Sequence, residues 1–366
     1  MSEHDELKYE PRMSDSDALM WTIEKDPLLR STITAVSLLD GPVDAERFTD
    51  KVERASRLIP RLRQRVVGNA YSLAPPRWEI DPNFDLSYHL RKIQCGGDHS
   101  DRQVLDLAQW VGMQGFDRAR PLWEMYLVEG LAHGRSALIQ KVHHAITDGV
   151  GSIQMALTLF DLERDPGASE PMPDAPEVHV MGAFERLAAG TEYVGLHRLR
   201  SVQRSVGTIA GGVRNLLSDP AGMARRAVDT AGSVSRLLAP ATEPLSPLMG
   251  DRSLSVRFST LVHPLDDLRR AAKAADGKLN DAFVAAVAGG LRRYHEHLGA
   301  PVDELRMTMP INVRTEATAG VAGNQFVPAR FRVPVGIADP IERMAAIREL
   351  VASQRGEPAL ALTQPL

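Results

Sequence analysis

The sequence predicts an α/β protein built as two domains, and three observations carry that expectation. At 366 residues the chain is longer than one hydrophobic core usually fills. Both halves alternate short β-branched or apolar runs with segments of helical period. Between them, residues 161–178 (DLERDPGASEPMPDAPEV) hold six acidic residues, one arginine and four prolines, which marks an exposed linker. The expected organisation is a first domain over 1–160, an acidic linker and basic helical crossover over 161–250, and a second domain over 251–366.

Taken in order, SDSDALMWTIEK offers Ser and Asp caps ahead of Ala18, Leu19, Trp21 and Ile23, a helix start. STITAVSLLDG is β-branched and ends in the Gly41-Pro42 turn, a strand. The stretch 44–67 places Phe48, Val52, Ala55, Leu58 and Ile59 on one helical face with charges opposite. RWEIDP and LSYHLRKIQ have the composition of strands. SDRQVLDLAQWVGMQGF is an amphipathic helix with Ser100 placed to cap it. LWEMYLVEGL and RSALIQKVHH are apolar runs separated by AHG, an adjacent strand pair, and VGSIQMALTLFDL is a helix.

From Gly182 to Pro240 the pattern is helical and basic, with eight arginines against four acidic residues. Two readings fit: a solvated crossover helix pair, or an amphipathic surface that meets anionic lipid head groups. SLSVRFSTLVHP (253–264) alternates as a strand would. A short helix, a Gly turn and a long apolar helix capped near Asn280 follow, then strands in ELRMTMPINVR and FVPARFRVPV and a helix in DPIERMAAIRELVASQR.

The formal net charge of −4, without a basic block, argues against a nucleic-acid binder. The single cysteine, Cys95, excludes an internal disulfide, fits a reducing compartment and has no nucleophile spacing to a histidine, so a structural role is expected. The acidic start MSEHDELKYEPR lacks the features of a signal peptide, and no apolar window reaches the roughly 18–20 residues a spanning helix needs. A cytoplasmic protein, or one lying on a membrane surface, is expected.

The chemistry concentrates in KVHHAITDGVGSIQ (141–154). His143 and His144 end an apolar run, and Asp148 and Gly149 follow. For a bare histidine pair at a strand end, the commonest explanation is structural. Metal binding is weakly supported: the spacing is not that of H-E-x-x-H, no cysteine cluster lies nearby, and His295 and His297 point to different faces of their helix. No metal is therefore expected. The chain has no G-x-S-x-G elbow and no Walker A sequence, and GVGSIQ lacks the third glycine of a dinucleotide fingerprint. A lone histidine base acting on a hydroxyl remains, since imidazole titrates near neutrality. Asp148 would hold the turn, and Gly149 permits a backbone angle that a β-carbon would block.

HHAITDG resembles the HHxxxDG motif of the CoA-dependent acyltransferase superfamily. PLWE at 121–124, LNDAFVA at 279–285 and PINVR at 310–314 are similar, in order and spacing, to motifs of the bacterial wax ester synthase/diacylglycerol acyltransferases. The opening SDSDALMWTIEKDP and GNQF at 323–326 also fit, so the resemblance spans nearly the whole chain. It implies two chloramphenicol-acetyltransferase-like α/β domains, each a mixed sheet with helices, the second truncated because the family continues well past Leu366.

The resemblance further implies transfer of a fatty acyl group from acyl-CoA, as co-substrate and with no separate cofactor, to diacylglycerol or a long-chain alcohol. His144 would be the general base, His143 would position it and Asp148 would hold the loop. Asn280 and Asp281 match the family's Asn-Asp pair near the active site, with helix N-capping as the alternative. Pro121, Leu122, Trp123 and Glu124 match a motif that either packs or lines the substrate site. Peripheral association with the inner membrane surface or lipid droplets is expected from insoluble substrates. The alternatives are an HHxxxDG enzyme acting on carrier-bound polyketide or peptide substrates, and a truncated, catalytically silent lipid-binding homologue.

Overall fold

The computed structural model describes residues 9–68, 74–146, 155–161, 163, 171–196, 244–251, 253–312 and 326–355. Asp148, Gly149, most of the basic stretch 182–240, Val313 and Arg314 of PINVR, and residues 323–325 lie outside them. The chain forms two compact units. One contains the described residues up to 196 together with Ser253–Ser259; the other contains the remaining described residues from 244 onward.

The first unit is organised by a four-stranded sheet. Its strands are β1 (Thr32–Leu39), β4 (Leu90–Gln94), β5 (Trp123–Glu129) and β6 (Ser136–His143), with β2 (Gln64–Val67) and β3 (Arg77–Ile80) forming a separate antiparallel pair. The sheet order is β1-β6-β5-β4; β6 runs antiparallel to both neighbours and β4 is parallel to β5. All eight residues of β6 are buried, as a central strand covered on both faces requires. The helices α1 (Asp15–Ile23), α2 (Ala45–Leu58), α3 (Leu86–His89) and α4 (Asp101–Met113) belong to the same unit.

Two apolar clusters supply the layers. Phe48, Val52 and Ala55 of α2 cluster with Trp123, Met125, Leu127, Leu138 and Val142. On the opposite face, Val104, Ala108 and Val111 of α4 cluster with Tyr126, Val128 and Ile139. The helical period read from 44–67 is thus the face that covers the sheet. Gly112 lets α4 approach β1 closely, because a β-carbon there would stand 2.8 Å from Thr34 Oγ1.

Three local expectations are corrected. Residues 253–264 are not a strand: they take no regular structure, and side chains meet the backbone groups of Phe258. Phe258 N–H donates to Gln109 Oε1 at 3.3 Å, and Arg102 Nη1 donates to the Phe258 carbonyl at 2.7 Å. The segment LSYH forms one helical turn, α3, before β4, because the Asp85 carboxylate caps the Ser87 N–H at 2.9 Å. Ser100 stands at the N-cap of α4 but makes no side-chain cap; its hydroxyl donates instead to Asp98 at 2.6 Å.

The start of the basic stretch folds onto the first unit. Within helical residues 183–196, Arg186 forks onto the buried Glu79 of β3 at 3.1 and 2.9 Å, and Arg12 Nη2 donates to the Ala189 carbonyl at 2.9 Å.

The second unit pairs β7 (Glu304–Asn312) with β8 (Phe326–Pro334) antiparallel. Helices α5 (Leu265–Ala274), α6 (Leu279–His297) and α7 (Pro340–Arg355) join them in a core of Ala272, Ala282, Ala285, Leu305, Phe331, Val333 and Ile347. His295 Nδ1 faces the Leu291 carbonyl at 2.8 Å, which only a donor satisfies, so the neutral ring accepts the Ser246 hydroxyl at Nε2, 2.8 Å away.

Candidate active site

The histidine pair sits where the central strand runs out. His143, the last residue of β6, is fully buried, and its N–H donates to the Leu122 carbonyl at 3.0 Å. Its cross-strand partner on β1 is Thr32. His144 N–H continues that pairing by donating to the Ser31 carbonyl at 2.8 Å. A turn then closes through the Ile146 N–H to the His143 carbonyl at 3.0 Å.

The two imidazoles are placed differently. His143 Nδ1 accepts the Ala145 N–H at 2.9 Å, which assigns the proton of the neutral ring to Nε2. Nε2 in turn lies 3.0 Å from Glu24 Oε1, a close contact that is not aligned as a hydrogen bond. Trp21 and Phe116 meet the ring edge-on, with centroids at 5.8 and 6.1 Å. With Nδ1 hydrogen-bonded, Nε2 3.0 Å from a carboxylate and no solvent exposure, His143 is a fixture of the site. His144 is half-buried.

Glu24 is the residue that sequence reading missed. It stands at the C-cap of α1, and its Oε1 accepts the Ser31 N–H at 2.5 Å. Arg118 lies 3.8 Å from its other oxygen, with its guanidinium 4.0 Å above the Trp21 ring. Burial alone would raise the Glu24 pKa, but His143, the Ser31 N–H and Arg118 together hold it below the ordinary range. Glu24 lies in the opening stretch SDSDALMWTIEKDP that resembles the family's usual start, but nothing in that stretch marks the acid itself as a partner of the histidines.

PLWE starts the strand beside the histidines, and all four of its residues are buried. Leu122 supplies the carbonyl that holds His143. Trp123 donates from Nε1 to the Leu62 carbonyl at 2.7 Å and stacks on His89 at 4.6 Å. Glu124 lies opposite Lys141 on β6, 3.6 Å from its ammonium, and takes further bonds from Arg91 at 3.2 Å and the Tyr126 hydroxyl. Desolvation lowers the Lys141 pKa and raises that of Tyr126, the latter reinforced by its bond to Glu124.

PLWE and the histidine pair therefore form one assembly in the first unit, while Asn280 and Asp281 belong to the second. There Asp281 caps α6 by accepting the Lys278 N–H at 2.7 Å, and the exposed Asn280 directs its amide to Met309 sulfur at 3.9 Å. Cys95 packs in the core under α4, and desolvation followed by Asp98 pushes its thiol pKa up, away from the thiolate a nucleophile needs. Among the described residues, no group of three His, Cys, Asp or Glu side chains is arranged to hold a metal, and no helix is long and apolar enough to cross a membrane.

Comparison with known proteins joins this assembly to a family. The profile of the wax ester synthase/diacylglycerol acyltransferase catalytic domain matches residues 12–283. A putative diacylglycerol O-acyltransferase of Mycobacterium tuberculosis is 40% identical over 365 residues, covering 96% of this chain and 72% of the relative. Among solved structures, the wax ester synthase/diacylglycerol acyltransferase of Marinobacter aquaeolei VT8 superposes with a TM-score of 0.58 at 20% identity, over 94% of this chain and 71% of its own. The first condensation domain of the calcium-dependent antibiotic synthetase gives a TM-score of 0.61 at 17% identity, over 96% and 76%, so the expected mixed α/β fold is shared with both. On the strength of the profile match and the 40% identical relative, the chain belongs to the wax ester synthase/diacylglycerol acyltransferase family.

Proposed function

We propose that the chain is an O-acyltransferase that moves a fatty acyl group from acyl-CoA to the hydroxyl of diacylglycerol, and also to long-chain alcohols, with His144 as general base. The observation that carries the role of His144 is the division of labour between the two rings. His143 is fully buried, with Nδ1 bonded to the Ala145 N–H and Nε2 3.0 Å from Glu24, while the neighbouring ring of His144 is half-buried on a backbone fixed at Ser31. A base needs that combination of fixed direction and access.

In the proposed reaction His144 removes the proton from the acceptor hydroxyl as its oxygen attacks the thioester carbonyl carbon. The tetrahedral intermediate collapses with cleavage of the C–S bond. The departing thiolate takes the proton back from the imidazolium, leaving ester, free CoA thiol and neutral His144. No acyl-enzyme is formed and no cofactor is required. Peripheral attachment to a membrane or lipid inclusion belongs to the same reading, because diacylglycerol resides in lipid.

The test incubates the purified chain with palmitoyl-CoA and either dioleoylglycerol or hexadecanol, beside His144→Ala. A loss of about 10²–10⁴-fold in the variant is expected of a general base. Equal product from both proteins would overturn the role of His144. No ester from the wild type, with retained binding to lipid vesicles, would favour a silent homologue. Ester formed only from carrier-bound acyl groups would favour the carrier-dependent alternative.

A further inference from the structure

We infer that Glu24 is a positioning residue for acyl transfer, one carboxylate that fixes both histidines. The inference rests on the reading of His144 as the base. Glu24 reaches the pair by two routes. Its Oε1 lies 3.0 Å from His143 Nε2, and the same oxygen accepts the Ser31 N–H at 2.5 Å. The carbonyl of Ser31 accepts the His144 N–H at 2.8 Å. The second route therefore passes through a single residue to the backbone of the proposed base.

The first route ends beside that base as well. His143 Nδ1 accepts the Ala145 N–H at 2.9 Å, so a ring held at Nε2 by Glu24 also pins the residue after His144. His144 is thus bracketed: its own N–H is fixed through Ser31, and the next N–H is fixed through the His143 ring. Both fixings trace back to Glu24. The carboxylate 3.0 Å from Nε2 also favours a proton there, the ring form in which Nδ1 can accept from Ala145. Glu24 is itself held from behind by Arg118, 3.8 Å away, which lies over Trp21. This acid touches no substrate; it acts through the histidines.

The test compares Glu24→Gln and Glu24→Ala with wild type in the palmitoyl-CoA and dioleoylglycerol assay. It adds ¹⁵N spectra of the histidine ring nitrogens and thermal melts. Glu24→Ala is expected to lower kcat about 10²-fold with KM within about twofold, as a displaced catalytic group does. Glu24→Gln retains an oxygen that accepts from Ser31 and is expected to recover all but about tenfold. In the spectra, His143 is expected to show the Nε2–H form in the wild type and a mixture of both forms in Glu24→Ala.

A kcat unchanged in Glu24→Ala, or a loss carried by KM alone, would overturn the inference while leaving the acyltransferase reading intact. An unaltered His143 spectrum in Glu24→Ala would overturn it too. If Glu24→Ala does not fold, Glu24→Gln decides by the same split. If the wild type makes no ester, the functional reading fails, and the spectra still decide whether Glu24 sets the ring.

Discussion

The amide of His143 donates to the carbonyl of Leu122 at 3.0 Å, so the second residue of PLWE holds the first residue of the histidine motif. Two residues 21 positions apart in sequence meet because β5 and β6 are antiparallel neighbours, with Trp123 opposite Val142. The motif's tryptophan anchors this arrangement from below. Trp123→Phe removes the donor that satisfies the buried Leu62 carbonyl, a loss of about 1–3 kcal/mol. Urea unfolding followed by circular dichroism is expected to show a lower midpoint with an unchanged slope. Activity below the transition is expected to stay within a few fold, since the Leu122 carbonyl remains in place.

Lys141 and Glu124 are nearly buried, with side-chain exposures of 1% and 9%, and form an ion pair across β6 and β5. Removing one partner leaves the other charge buried and costs about 3–5 kcal/mol. Lys141→Met is therefore expected to destabilise strongly, because Glu124 would keep only Arg91 and the Tyr126 hydroxyl. The double variant Lys141→Met/Glu124→Leu is expected to lose much less than the sum of the two single changes. A double-mutant cycle from denaturant unfolding measures this. Additive losses would mean that the two charges do not interact.

Stability should depend on pH through Glu24. Its folded pKa lies below the ordinary value, so the unfolded chain takes up the proton first as pH falls. The stabilisation is therefore fully present above about pH 5 and is lost as pH drops through the lowered folded value. Glu24→Gln lacks this titration. The gap in melting temperature between wild type and Glu24→Gln is expected to be widest near neutrality and to narrow as the solution is acidified through the carboxylate range. A gap constant over that range would rule the contribution out.

The parts of the molecule legible from sequence are those where one segment carries its own signal. The run SALIQKVH carries apolar residues on both faces and became the buried central strand β6, and the period of 44–67 became the covering face of α2. What escaped is set by partners remote in sequence. Residues 253–264 alternate as a strand would, yet the backbone of Phe258 bonds to the side chains of Gln109 and Arg102 of α4. Alternation reports side-chain period and says nothing of who pairs with the backbone. Glu24 escaped for the same reason, since its meaning lies in Ser31 and His143. The motifs at 121–124 and 143–144 were legible as residues, but not the carbonyl of Leu122 that joins them.

Adjacent glycines in α6 should respond to alanine with opposite signs. Gly290 is exposed, with open space where a β-carbon would go, so Gly290→Ala should gain the helix propensity of alanine, about 1 kcal/mol. At Gly289 a β-carbon would stand 2.5 Å from Arg343 Nη2 and 3.0 Å from its Cζ. That guanidinium is not free to withdraw: it donates to the carbonyls of Ala285 at 3.0 Å, Ile337 at 2.6 Å and Ala338 at 3.2 Å. Gly289→Ala must displace it from these bonds, and overpacking of this kind costs about 1–3 kcal/mol, more than the propensity gain. The expected net effect is a lower melting temperature. In an Arg343→Met background the obstruction is gone, and the same alanine should turn neutral or stabilising. Thermal melts of the four proteins give the comparison; if Gly289→Ala stabilises the wild type, the guanidinium does not occupy the position that glycine leaves open.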